Sequence, residues 1–168
     1  MKQLLLSLLR SRLVSLLYLQ LHRLHVYSCH ALSVAKAKAL FPEAINLMMD
    51  YRVDVKYREN VSLGKNIVIG ADVTIGAHSP VTIGDFVRIS KGVSIESATL
   101  DIRGPLPYKH KSRPVRIDRG VWLGMNSTIL GGVTIGENSV IGANAVVSRD
   151  VPPNSICVGS ANRIYPKD

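Results

Sequence analysis

VSLGKN-IVIGAD-VTIGAH (61–78), VTIGDF-VRISKG-VSIESA (81–98) and VRIDRG-VWLGMN-STILGG-VTIGEN-SVIGAN-AVVSRD-VPPN (115–154) repeat one six-residue phrase. An aliphatic residue recurs at the first and third places, glycine often at the fourth, and a polar residue near the sixth. A period of six matches neither the 3.6 residues of a helical turn nor the two-residue alternation of a long strand. It matches a short strand followed by a turn, repeated, and predicts an all-β solenoid, a parallel β-helix. Three hexads close one triangular coil. Coils stack at roughly 4.8 Å, the spacing of hydrogen-bonded strands. The first-position Val, Ile, Ser or Ala points inward, and glycine suits the corners. The hexads make about four coils, enough for neighbours to bury each other's apolar faces.

Outward from the repeat, residues 41–60 read as a transition. Pro42 breaks any helix there, and YRVDVKY (51–57) alternates like a strand, so a first irregular coil begins near Ile45. Residues 1–40 have another character. From Met1 to Lys38 there are six Lys or Arg and no Asp or Glu. Leu5, Leu6, Leu9, Leu13, Leu16, Leu17, Leu24 and Tyr27 fall on one helical face, and Ser7, Arg10, Ser11, Ser15, His22 and His25 on the other. Arg10 and Arg12 interrupt the apolar run, so no span of about 20 uncharged residues exists. The same arginines spoil the outline of a signal peptide. The segment is expected to be a basic amphipathic helix on an anionic inner-leaflet surface. The alternative is that it packs on the β-helix or a partner subunit.

The net charge of +9 across 168 residues points to acidic partners: phosphates of a cofactor or anionic lipid headgroups. Nucleic acid is the weak reading and is not expected as a partner, because no recognition helix and no basic run interleaved with aromatics is present. Cys29 and Cys157 lie in segments of different character and are read as free thiols of a reducing cytoplasm.

Chemistry is expected where the count of six fails, because loops held by a rigid scaffold carry function. Two residues are inserted at GAHSPV, placing His78 at a corner. A long loop, 98–114, follows VSIESA and carries His110. These are the only histidines of the repeat region.

The run from Pro114 to Ile164, ending in DVPPN and GSANR, resembles the hexapeptide-repeat acyltransferase superfamily, in particular polysaccharide and sugar O-acetyltransferases and serine acetyltransferases. The resemblance covers about residues 60–165. It implies a left-handed coil, a homotrimer with active sites between subunits, and acetyl-CoA as acyl donor. It also implies a histidine that takes the acceptor's hydroxyl proton, a task suited to neutral imidazole. His110, shortly before the RPV restart, is the first candidate and His78, in HSPVTIG, the second. Asp101, Glu96 and Asp85 are the nearby carboxylates for orienting it. By motif, Trp122, Gly124, Met125 and Ala143 would line the pantetheine groove. Ser148, Arg149, Arg163 and Lys167 would meet the CoA phosphates. Ala161 stands where the family has proline.

The resulting expectation is an acetyl-CoA-dependent O-acetyltransferase, cytoplasmic or peripheral on the membrane's inner face, acting on a sugar hydroxyl in surface polysaccharide synthesis. The alternative is a serine O-acetyltransferase or an amino-sugar N-acetyltransferase of the same fold. No metal is expected, because a zinc-dependent use of the fold needs three histidines and the repeat offers two.

Overall fold

The computed structural model describes residues 12–167. Hexads become strands of two or three residues that stack in parallel into three sheets, the sides of a β-helix. The first side stacks β1 (Met48–Met49), β4 (Val68–Ile69), β7 (Arg88–Ile89), β12 (Trp122–Leu123), β15 (Val140–Ile141) and β17 (Ser155–Val158). Antiparallel β18 (Arg163–Pro166) closes its upper edge. The second side stacks β2 (Asp54–Lys56), β5 (Thr74–Gly76), β8 (Ser94–Glu96), β13 (Thr128–Leu130) and β16 (Val146–Val147). The third holds β3 (Val61–Leu63), β6 (Val81–Ile83), β11 (Val115–Ile117) and β14 (Thr134–Ile135).

The first side thus shows six levels rather than the four coils counted from regular hexads. The transitional segment supplies β1 and β2, two sides of a further coil, since Met48 pairs with Val68 and Asp54 with Thr74. Its phrase is irregular because the end level is covered by a helix rather than by another hexad coil.

Both aliphatic places of the hexad point inward. Val73, Val87 and Val93 from first places and Ile75, Ile89 and Ile95 from third places are buried, and the interior is one continuous column of such side chains. Parallel strands this short hold together because every interior side chain packs on the coils above and below.

Helix α1 (Arg12–Leu40) attaches at the lower end. The first coil has no coil beneath it, so its backbone needs other partners. Lys36 Nζ donates to the Tyr51 and Val53 carbonyls at 2.9 and 2.5 Å, Ser33 Oγ accepts the Tyr51 N–H at 3.0 Å, and Ala37 is buried against the coil. These last turns are anchored to the first coil. Leu16, Leu17, Leu21, Leu24 and Tyr27 are each more than half exposed, so this part of the helix does not pack along the β-helix side. The residues 1–11 of the expected amphipathic segment lie outside the described residues.

Candidate active site

The corner between the second and third sides is where the coil count fails, and it fails in three successive coils. In the first coil a 3-10 turn (Arg58–Asn60) follows Tyr57; in the second, His78, Ser79 and Pro80 fill the corner. In the third the loop 98–114 leaves the coil as a hairpin arm of antiparallel strands β9 (Ala98–Leu100) and β10 (His110–Ser112). The corners lie one above another, so their side chains form a column. The Tyr57 ring meets the His78 ring edge-on at 5.4 Å, and the His110 ring stacks over His78 at 6.5 Å with an interplanar angle of 10°. The two histidines, 32 positions apart in the chain, share one site.

Alternation along β10 puts His110 and Ser112 on one face of the arm and Lys111 on the other. Ser112 Oγ lies 3.2 Å from His78 Nδ1, and Ser79 Oγ donates to Ser112 Oγ at 2.6 Å. Lys111 pairs with Asp101 across the hairpin at 2.8 Å, and its ammonium holds the Asp101 carboxyl below the usual carboxylate range. The other carboxylates weighed from sequence are also engaged away from the imidazoles. Glu96 Oε1 accepts the Ala98 N–H, and Asp85 Oδ1 accepts the Lys65 N–H. The sequence reading missed Tyr57, Ser79, Ser97 and Ser112. The one available signal was the spacing of Ser112 two residues beyond His110, which matters only once that stretch is known to be a strand.

Of the residues assigned by motif to the donor, Trp122, Gly124, Met125 and Ala143 lie away from the histidine corner, and Ser148 and Arg149 lie on it. Trp122, half exposed on the first side, donates its Nε1–H to Ser90 Oγ at 3.0 Å. Gly124 and Met125 turn the corner into the second side, and Ala143 and Asn144 lie directly above them. The Asn144 N–H donates to the Met125 carbonyl, and a Cβ on Gly124 would meet the Ala143 nitrogen at 2.7 Å. These four residues therefore form one edge, a full side away from the histidine column. Ser148 and Arg149 stand above the histidine corner. Arg149 donates to the Ala161 and Asn162 carbonyls, and Asn162 Oδ1 accepts the Ser148 N–H. These bonds fix the final turn where proline is missing. Arg163 is exposed on β18, and Lys167 reaches the third edge, donating to the Asn138 carbonyl at 2.9 Å. Cys157 is buried in the core, where desolvation pushes its thiol up, and Cys29 lies on α1; both are free. Among the described residues no group of three or more His, Cys, Asp or Glu is placed to hold a metal ion.

Known proteins share this architecture. A bacterial transferase hexapeptide model of six repeats matches residues 114–149, and a hexapeptide repeat model of succinyl-transferase matches 60–97. The solved galactoside acetyltransferase in complex with coenzyme A is 31% identical, with a TM-score of 0.73, over 80% of this chain and 72% of that one. The chain belongs to the hexapeptide-repeat acyltransferase family. Within that family, a Vibrio cholerae hexapeptide-repeat acetyltransferase solved with acetyl coenzyme A matches at 29% identity and a TM-score of 0.73, over 93% of this chain and 89% of that one. The galactoside O-acetyltransferase of Escherichia coli is 41% identical over 92 residues, 50% of this chain and 42% of the relative. This hexapeptide-repeat chain spans about two fifths of the length of the curated relatives it matches.

Proposed function

We propose that the protein is an acetyl-CoA-dependent O-acetyltransferase that transfers acetyl to a hydroxyl of a sugar. The observation that carries this reading is the column of His78 and His110 at a corner roofed by the hairpin arm, in a chain whose family relatives include a galactoside acetyltransferase with bound coenzyme A.

His78 is the base. It stands exposed on the rigid coil, with Tyr57 below, His110 above and Ser112 at Nδ1, which leaves Nε2 for the acceptor. The sequence put His110 first; both rings are exposed, and His78 is favoured because it stands on the coil and has Ser112 Oγ at Nδ1, whereas the His110 side chain has only the ring contact with His78 among the described residues. His78 Nε2 takes the acceptor hydroxyl proton while the oxygen attacks the thioester carbonyl carbon. The C–S bond then breaks, and the imidazolium returns the proton to the departing sulfur, giving an acetyl ester and free CoA. His110 orients the acceptor. Trp122, Gly124, Met125 and Ala143 hold the pantetheine arm, and Ser148, Arg149, Arg163 and Lys167 supply the cationic end for its phosphates.

The pantetheine edge and the histidine column lie on different edges of one prism, so in this reading the complete site forms where two copies meet. This supports a homotrimer, in which each donor edge faces a neighbour's histidine corner. Helix α1 brings the trimer to an anionic membrane surface: it carries Arg12, Arg23 and exposed leucines, and no acidic residue precedes Glu43. No helix among the described residues is long and apolar enough to cross a membrane. A surface position suits an acceptor that is a lipid-linked or growing polysaccharide.

The test is thiol release from acetyl-CoA against a panel of free, nucleotide-linked and lipid-linked sugars, with serine as a control. His78→Ala is expected to lower kcat by about 10²–10⁴, the usual contribution of a general base, while CoA binding persists. His110→Ala is expected to raise the acceptor KM more than it lowers kcat. Near-normal turnover in His78→Ala, with His110→Ala inactive, would transfer the base to His110.

A further inference from the structure

The place behind the base that a carboxylate would fill is taken by serine hydroxyls. Ser97 is fully buried; its Oγ–H donates to the Gly76 carbonyl at 2.9 Å and its Oγ accepts the Ser79 N–H at 2.9 Å. That pair of bonds pins Ser79 to the coil wall. Ser79 Oγ then donates to Ser112 Oγ, and Ser112 Oγ is the hydrogen-bond partner of the His78 ring. The connection runs from the buried coil, through the arm, to the imidazole.

A serine oxygen has two lone pairs. The Ser79 hydroxyl fills one at Ser112, so Ser112 can meet His78 Nδ1 with its second lone pair or with its own O–H. We infer that Ser112 is a positioning residue for the base: its oxygen accepts the Nδ1–H of His78 and so leaves Nε2 as the unprotonated nitrogen. When Nε2 takes a proton, both ring nitrogens become donors, and Ser112 already receives the one turned away from the acceptor. The inference rests on the acetyl-transfer reading above.

The origin of Ser112 gives the device a consequence. Ser112 belongs to β10, not to the coil that carries His78. It arrives with the arm, which is held by the register of Ser112 on Ala98, the Asp101–Lys111 bridge and the Arg113 N–H to the Ser97 carbonyl. The same strand face delivers His110. Docking the arm therefore roofs the acceptor site and sets the tautomer of the base in one movement, and a site with its arm displaced has a base of unselected tautomer.

The experiment combines 15N NMR of histidine-labelled protein, under conditions where the imidazoles are neutral, with steady-state kinetics. In the wild type His78, assigned by its loss in His78→Gln, is expected to be the Nδ1–H tautomer. Ser112→Ala is expected to shift it toward the Nε2–H form and to lower kcat about tenfold, the loss of one hydrogen bond of ordinary strength, with the KM for acetyl-CoA unchanged. Ser112→Thr keeps the hydroxyl and is expected to retain both tautomer and turnover within about twofold. An Nε2–H tautomer in the wild type would overturn the inference. So would Ser112→Ala with wild-type tautomer and kcat, or Ser112→Thr as impaired as Ser112→Ala. Failure of the activity reading looks different: no acetyl transfer by the wild type, or full turnover in His78→Ala. The tautomer measurement decides the role of Ser112 in either case.

Discussion

Ser127→Ala is expected to stabilise this protein, although Ser127 is wholly buried. The inward column at that corner runs Val53, Val73, Val93, Ser127 and Ala145, all at zero exposure. Ser127 Oγ has no hydrogen-bond partner among the described residues, while its N–H donates to the Gly124 carbonyl and would be untouched by the change. A hydroxyl held unpaired in an apolar interior costs about 1–3 kcal/mol. Removing it leaves a void the size of one oxygen, about 10 Å³, worth about 0.3 kcal/mol at the cavity rate of ~24 cal/mol per Å³. The net gain is about 1–2 kcal/mol, or roughly 3–6 °C in the melting midpoint of a chain this long. Urea and thermal unfolding of the two proteins at one matched concentration would measure it, since any association makes midpoints concentration-dependent. A variant less stable by about 1 kcal/mol would refute the reasoning. It would mean that the hydroxyl is satisfied inside the column.

Two further expectations concern the scaffold and the helix. Gly84→Ala would place a Cβ 2.8 Å from the Arg119 backbone nitrogen in the next coil, which cannot yield without opening the stack; a loss of about 2–3 kcal/mol is expected from urea midpoints. In Gly76→Ala the obstacle is the Glu96 carboxylate, the end of a flexible side chain, so its loss should be clearly smaller; equal losses would sink the argument from close backbone approach. For α1, the Arg12→Glu/Arg23→Glu pair should weaken co-sedimentation with vesicles of anionic phospholipid by at least about tenfold, at about 1 kcal/mol per basic residue near the surface. Equal binding of the wild type to neutral and anionic vesicles would count against the electrostatic contact.

The site was less legible than the fold, for a reason visible in particular residues. Val61 through Asn154 announce the coil because each strand's period is local and every hexad repeats the same packing problem. The breaks in the count marked His78 and His110 for the same reason. Their meeting was not readable, because it depends on three corners of different length being stacked by strand register. Met48 to Asn60 had no regular phrase, and the first coil there takes part of its backbone bonding from Lys36 and Ser33 of α1 rather than from another hexad. Carboxylates were the natural candidates for orienting an imidazole by chemistry alone, yet Asp101, Glu96 and Asp85 are bound to nearer partners.

By itself, then, the sequence determined the β-helix, the family and the short list of chemical residues, since these follow from local period and from residue types in a repeated frame. The tertiary structure decided that Tyr57, His78 and His110 form one column, that Ser112 faces the imidazole, and that the Trp122 edge stands a side away. Those facts arise from stacking coils and folding an arm back over a corner, contacts between residues 20 or more positions apart, which no six-residue window contains.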